Sequence, residues 1–215
     1  MSICWVKSMD KLKGVDISAW QGEINFEELK KHVDFVIIRT VVGKHYDKNA
    51  KHNINECYIH KIPYGLYCAA YPLTEKDAVE EARRMAYYAR MCKPLFPVYY
   101  DYEGFSLDYA KKNGYNHSAE TIRTLTRAYC NELEKQGFFA GVYANLNYTK
   151  NIYKDSFFKR YSHWLAYWST SNVCNAPMWQ FTSNGNVPGI YGRVDKNICT
   201  TNFPKLITQV HRNGW

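Results

Sequence analysis

Short apolar runs alternate with amphipathic ones along the first 160 residues of the chain. The apolar runs are rich in Val, Ile and Tyr and are often preceded by Gly or Pro, the pattern of short buried strands. They predict strands at Gly14–Ser18, Phe35–Val42, Tyr64–Tyr71, Phe96–Glu103, Phe139–Asn145, Trp164–Trp168, Met178–Thr182 and Arg193–Asn197. Between the first six lie amphipathic stretches. Glu75–Cys92 carries Ala78, Ala82, Met85, Ala86 and Ala89 at helical spacing behind a T-x-x-D capping signature at Thr74 and Asp77. Ala119–Gln136 starts at Ser118, aligns Ile122, Leu125, Tyr129 and Leu133, and stops at Gly137. Weaker patterns predict helices at Phe26–His32, Lys48–His60 and Tyr148–Tyr161. Strand–helix repetition implies parallel strands joined by right-handed crossovers. The last third, rich in Trp, Asn and Gly, reads as strands and turns. The expectation is a single α/β domain over residues 14–200, an irregular barrel whose final strands lack helices. An N-terminal extension (1–13) and a C-terminal tail packed on the domain (201–215) flank it.

Acidic residues fall at the ends of these strands. In the run FPVYYDYE, Asp101 and Glu103 are two residues apart and face one side, with Tyr102 facing the other. Asp16 ends the first strand in the same way, and Asp195 lies in the last. C-terminal strand ends line the mouth of a β/α barrel, so four carboxylates distant in sequence are expected to converge there. Crowding and partial burial keep at least one protonated near neutrality. Glycoside hydrolysis needs that combination: a protonated acid for the leaving oxygen and an ionised partner for the cationic centre. A lone Asp at a strand end is ordinarily a helix cap, but a D-x-E pair is harder to explain by capping. Divalent metal binding is the competing reading; no D-x-D-x-D-G loop supports it.

Composition narrows the picture further. The 215 residues are 46% apolar and 22% charged, which is ordinary for a globular chain. No stretch approaches the roughly 18 uninterrupted apolar residues of a membrane span, so no membrane insertion is expected. The net charge of +8 favours polyanions, anionic wall polymers among them. The basic residues are scattered in pairs such as Lys30-Lys31 and Arg83-Arg84, which speaks against a nucleic-acid arm. Seven Cys without CxxC spacing suit neither a disulfide framework nor a zinc site, and no cofactor is expected. The start lacks the apolar region of a Sec signal peptide. Aromatic residues reach 16%. Tyr67, Tyr71, Tyr143, Trp168 and Trp179 fall near predicted C-terminal strand ends, and Trp20 lies beside Asp16. Each is a candidate platform for a sugar ring or, equally, a piece of core. Asn145 is a candidate sugar ligand or a cap for the next helix.

Six fragments occur in a telling order: GVDISAWQG (14–22), DFVIIRT (34–40), the Asp101/Glu103 strand, GVYAN (141–145), MWQFTS (178–183) and GRVDKN (192–197). The ordered set closely resembles glycoside hydrolase family 25, the Chalaropsis-type lysozymes that include many phage endolysins. The resemblance spans about Gly14 to Cys199. It implies a TIM-like (β/α)5(β)3 barrel and N-acetylmuramidase activity on bacterial peptidoglycan, at the β-1,4 bond between N-acetylmuramic acid and N-acetylglucosamine. By position it makes Glu103 the general acid/base and Asp101 its partner, either stabilising the cationic centre or positioning the substrate's N-acetyl group. Asp16 and Asp195 become the remaining acidic members. Relatives more often carry a bulky aromatic near Cys68 and Ala69, so the third strand here reshapes a subsite. Two other readings stand beside this one: a catalytically silent glycan-binding module on the same fold, and a basic nucleic-acid-binding protein. As to setting, the expectation is an endolysin held in the host cytoplasm until a holin releases it, or a bacterial autolysin exported by another route.

Overall fold

A computed structural model describes residues 11–215. The strands are β1 (Leu12–Ile17), β2 (Phe35–Val42), β3 (His45–Tyr46), β4 (Tyr64–Ala69), β5 (Val98–Asp101), β6 (Ala140–Asn145), β7 (Ser162–Ala166), β8 (Met178–Gly185) and β9 (Val194–Cys199). β1 pairs with β2 and then the order runs β4, β5, β6, β7 and β8, all parallel. β9 is antiparallel to both β8 and β1 and closes the barrel. β3 is a two-residue hairpin partner outside the ring, too short to register in the sequence pattern. The helices are α1 (Phe26–Leu29), α2 (Ala50–Ile59), α3 (Glu75–Cys92), α4 (Gly104–Lys112), α5 (Ala119–Lys135), α6 (Leu146–Asn151) and α7 (Phe203–Gln209). Five strand–helix units followed by three strands agree with the expected irregular barrel.

Side-chain alternation builds two cores. On β2, Val36 and Ile38 pack outward against the helices, whereas Phe35 and Ile37 point into the barrel. The same period sends Val98 and Tyr100 outward on β5 and Tyr99 inward. The inner core is aromatic at the end opposite the acids: Phe35, Phe96, Tyr99 and Trp164 fill it. Glycine makes room for two of these rings. A Cβ at Gly14 would sit 2.4 Å from Phe35, and one at Gly141 would sit 2.5 Å from Tyr99.

The strongest helical expectations hold closely. α3 begins at Thr74, whose hydroxyl accepts from the Asp77 N–H while Asp77 Oδ2 accepts from the Thr74 N–H. α5 buries the Ile122, Leu125, Tyr129 and Leu133 stripe. Other expectations need correction, and one helix, α4, was not foreseen. The helix placed at Tyr148–Tyr161 is only α6, followed by one 3-10 turn at Phe158–Arg160. Asp155 Oδ1 accepts from the Phe158 N–H and offers that backbone a turn instead of a continued helix. α4 buries only Ser106 and Ala110, so it lacks the apolar stripe by which helices are read. α7 lies within the stretch taken as a tail; Asn202 caps it, Pro204 occupies its first turn, and Phe203 and Ile207 are buried. Downstream, Asn213 bonds the Phe139 N–H and the Pro94 and Phe96 carbonyls. At the other end, Leu12 and Lys13 of the proposed extension already belong to β1, opposite Cys199 and Ile198. Residues 1–10, most of that extension, lie outside the described residues, Cys4 among them. The other six cysteines are free thiols. Among the described residues no helix is long and apolar enough to cross a membrane.

Candidate active site

Alternation along three strands, β1, β5 and β9, brings the acids to one end of the barrel. On β1, Val15 and Ile17 pack outward, so Asp16 between them points inward. Asp195 lies directly opposite Asp16 in the antiparallel β1–β9 ladder. Asp101 is the last residue of β5, beside Ala69 of β4 and Tyr143 of β6. Glu103 follows in extended backbone as the residue that starts α4. Its N–H donates to Ser106 Oγ at 3.1 Å, and that hydroxyl donates to the Ala70 carbonyl at 2.7 Å. The Ala70 N–H in turn reaches the Asp101 carbonyl at 2.9 Å. The acidic strand end is thus tied to the neighbouring strand by backbone on both sides.

Amide side chains hold the central acids. Gln180 Nε2 donates to Asp16 Oδ2 at 3.0 Å and to Asp195 Oδ2 at 3.1 Å. Asn197 Nδ2 donates to Asp16 Oδ2 at 2.7 Å. Behind them, the Tyr143 hydroxyl donates to Gln180 Oε1 at 3.0 Å, and Trp164 Nε1 donates to Asn197 Oδ1 at 2.8 Å. Each amide is therefore oriented by a second donor, with its N–H groups turned toward carboxylates. Sequence reading missed Gln180, Asn197 and Trp164. One signal was available: Asn197 stands two residues from Asp195, the same spacing as Asp101 and Glu103.

The four carboxyls perturb one another. Burial first, and then the charge of Asp195, push Glu103 up to about 7. Burial and Asp195 likewise push Asp16 up to about 7, against the bonds from Asn197 and Gln180. Burial lifts Asp195 to about 6. Asp101 is held well above the usual carboxylate range by burial, then by Glu103 and Asp16, with Arg39 pulling the other way. Arg39 is kept in place by Asp47, whose Oδ2 accepts from Arg39 Nε at 2.8 Å and from the Ala19 N–H at 3.0 Å. Oδ1 of Asp101 is buried and has no hydrogen-bond partner among the described residues. A proton donor titrating near neutrality therefore shares the site with buried acids, one of which has a free acceptor oxygen. No group of three or more His, Cys, Asp or Glu among the described residues is arranged to hold a metal ion.

The aromatic candidates divide. Tyr143 and Tyr67 point into the barrel, and both feel the charges of Asp16, Asp101 and Asp195. Both also pack edge-on against Trp164. Tyr71 is half-buried beyond the end of β4, against Phe105 and Tyr109. Trp20 and Trp168 are 84% and 65% exposed on the loops that follow β1 and β7, so core packing does not explain them. Trp179 is a correction. Its neighbours Met178 and Gln180 face the barrel interior, so its own ring lies on the outer face, where Nε1 bonds the Tyr167 carbonyl. Asn145 Oδ1 accepts from the Tyr148 N–H at 2.9 Å and caps α6. Of the two residues expected to reshape a subsite, Cys68 packs outward with the helices, and Ala69 lies beside Asp101 in the β4–β5 pair.

The sequence model for Glycosyl hydrolases family 25 matches residues 15–190, most of the chain. The chain belongs to this family. Solved structures agree. The modular autolysin LytC from Streptococcus pneumoniae, in complex with synthetic peptidoglycan ligand, superposes with a TM-score of 0.80 at 27% identity, over 90% of this chain and 47% of LytC. The chain thus spans about half the length of that relative. The catalytic domain of endolysin ply40 from bacteriophage P40 of Listeria monocytogenes shares the fold, with a TM-score of 0.74 at 24% identity, over 94% of this chain and 98% of that one. The bacterial lysozyme from Streptomyces coelicolor shares it at a TM-score of 0.72 and 22% identity, over 86% and 90%. No curated protein sequence matches the chain. As a family 25 glycosyl hydrolase, the protein presents its four inward acids at the barrel end where such folds bind ligands.

Proposed function

We propose that this family 25 hydrolase is an N-acetylmuramidase that cuts the β-1,4 bond between N-acetylmuramic acid and N-acetylglucosamine in bacterial peptidoglycan. The observation that carries the reading is Glu103, a carboxyl raised to about 7 among three other acids at the barrel mouth. Near neutral pH a large fraction of Glu103 keeps its proton, which it donates to the leaving glycosidic oxygen. Asp101 Oδ1, buried without a partner among the described residues, faces the developing positive charge or accepts from the substrate N-acetyl N–H; a cation or N–H donor there favours the ionised form, against the burial and like charge that raise this carboxyl in the free protein. Burial and the charge of Asp195 keep Glu103 protonated, while Gln180 holds Asp16 and Asp195 in place and Asn197 adds a second bond to Asp16. Once its proton has left, Glu103 is the base that activates water. Trp20 and Trp168, exposed on loops at the same end, offer planes for sugar rings along the glycan strand, with Tyr71 beside them. The reading places the protein's action at the cell wall, in line with the synthetic peptidoglycan ligand held by the autolysin LytC.

Mass spectrometry of fragments released from purified walls tests the reading. New reducing ends on N-acetylmuramic acid are expected, and their loss in Glu103→Gln with folding intact. Reducing N-acetylglucosamine ends, or unchanged turnover by that variant, would overturn it.

A further inference from the structure

A second feature lies outside the cleft. Tyr46, Tyr58, Tyr87, Met91 and Trp215 are each between 43% and 77% exposed, and all line one groove of about 1030 Å³ between α2 and α3. Exposed apolar side chains are ordinary when scattered, but their concentration in one concave strip marks a binding surface. The groove reaches Pro63 and Lys93, which precede β4 and β5, so it extends toward the end of the barrel opposite the acids. Its charged lining is Lys51, Lys61 and Lys93, with no Asp or Glu among the described residues. One corner is built rather than loose. Trp215 Nε1 donates to the Lys93 carbonyl at 3.1 Å, and Lys93 Nζ stands 5.7 Å from the Trp215 ring centre. At the other side the Tyr46 and Tyr88 rings meet at 4.9 Å.

Rigid rings with polar edges, framed by ammonium groups, suit a ligand with flat apolar faces and negative charge. A second copy of this chain is a poor occupant, because it brings a net +8 against a lysine-lined surface. An anionic glycan satisfies both demands. The C–H faces of pyranose rings match the planes of Tyr58, Tyr87 and Trp215, and lactyl or stem-peptide carboxylates match the charge of the lysines. We infer that the α2–α3 groove is a second holding site for the anionic glycan strand of the wall, separate from the cleavage cleft; the inference rests on the wall being the substrate. Two sites on one polymer turn the second contact into an intramolecular event and keep the enzyme on insoluble walls between cuts.

Co-sedimentation with purified walls tests this, using Glu103→Gln protein so that the wall stays whole. Adding Tyr58→Ala with Tyr87→Ala, or Lys51→Glu with Lys61→Glu, is expected to weaken wall binding about tenfold or more. In the Glu103-containing protein the same pairs should slow clearing of whole walls and leave cleavage of short soluble muropeptide oligomers unchanged. The melting temperature, checked alongside, should stay at the parent's value. Wall binding unaffected by both pairs overturns the inference. So does a concentration-dependent dimer that the tyrosine pair breaks while wall binding stays intact. Failure of the parent protein to cut any peptidoglycan would defeat the muramidase reading instead, and sedimentation with walls would still decide what the groove holds.

Discussion

Replacing Glu103 by Gln removes one proton site and almost no volume, so its effects on stability and on chemistry can be calculated separately. Burial and the neighbouring Asp195 carry the Glu103 carboxyl from 4.5 to about 7 in the folded protein. At 1.36 kcal/mol per pH unit, that interval corresponds to about 3 kcal/mol. Below the unfolded value near 4.5 the group is protonated in both folded and unfolded chains and costs nothing extra. As pH rises from there to about 7, the unfolded chain releases its proton while the folded chain keeps it, so stability is lost progressively. Above about 7 the whole penalty is present. Glu103→Gln escapes it. For a chain of this size 1 kcal/mol moves the melting temperature by roughly 2–4 °C, so the variant should melt about 6–12 °C above the parent at pH 8. At pH 4 the two should melt together. Thermal unfolding followed by circular dichroism at both values reads the difference. Cleavage should meanwhile fall about 10²–10⁴-fold, the usual worth of a general acid. An equal melting difference at pH 4 and pH 8 would refute the reasoning, because the carboxyl would then not be strained against its surroundings.

Three further outcomes follow from the same geometry. Asp195→Asn removes the charge that helps raise Glu103, so the alkaline limb of kcat/KM should move to lower pH; a limb that stays in place would show that Asp195 does not act on the proton donor. Gln180→Leu strips N–H donors from Asp16 and Asp195 and an acceptor from Tyr143. Bonds to charged groups are worth about 1.5–3 kcal/mol each, so urea unfolding should show a larger loss at pH 8, where Asp16 ionises, than at pH 4; equal losses would contradict the network. Gly141→Ala forces a Cβ to 2.5 Å from the Tyr99 ring and 3.0 Å from the Ser162 carbonyl. It should lower the urea midpoint by the equivalent of about 1–3 kcal/mol, and an unchanged midpoint would mean that the inner core is looser than described.

Much of this protein can be read locally. The Thr74–Asp77 capping signature and the alanine stripe define α3 without reference to anything distant. Period-two alternation places Asp101 and Glu103 on one side, and the ordered fragments from Gly14 to Asn197 point to the family. Such features depend on residues within a turn or a strand of each other, and backbone geometry alone imposes them. α4 stayed hidden for the same reason: its buried positions, Ser106 and Ala110, make no apolar stripe, and it is held by contacts to other elements.

Long-range closure settled the remainder. Asp16 meets Asp195 only because β9 turns back antiparallel and seals the barrel against β1. Asp16 is likewise bonded by Gln180 and Asn197, 164 and 181 residues along the chain. Trp179 and Gln180 exchange their expected importance because strand phase turns one ring outward and one amide inward. The raised carboxyls are a property of this assembly too, since burial and like charge appear only when distant strands enclose a common volume. Alternation assigns each side chain a face; which faces share a low-dielectric space is decided by how the sheet closes.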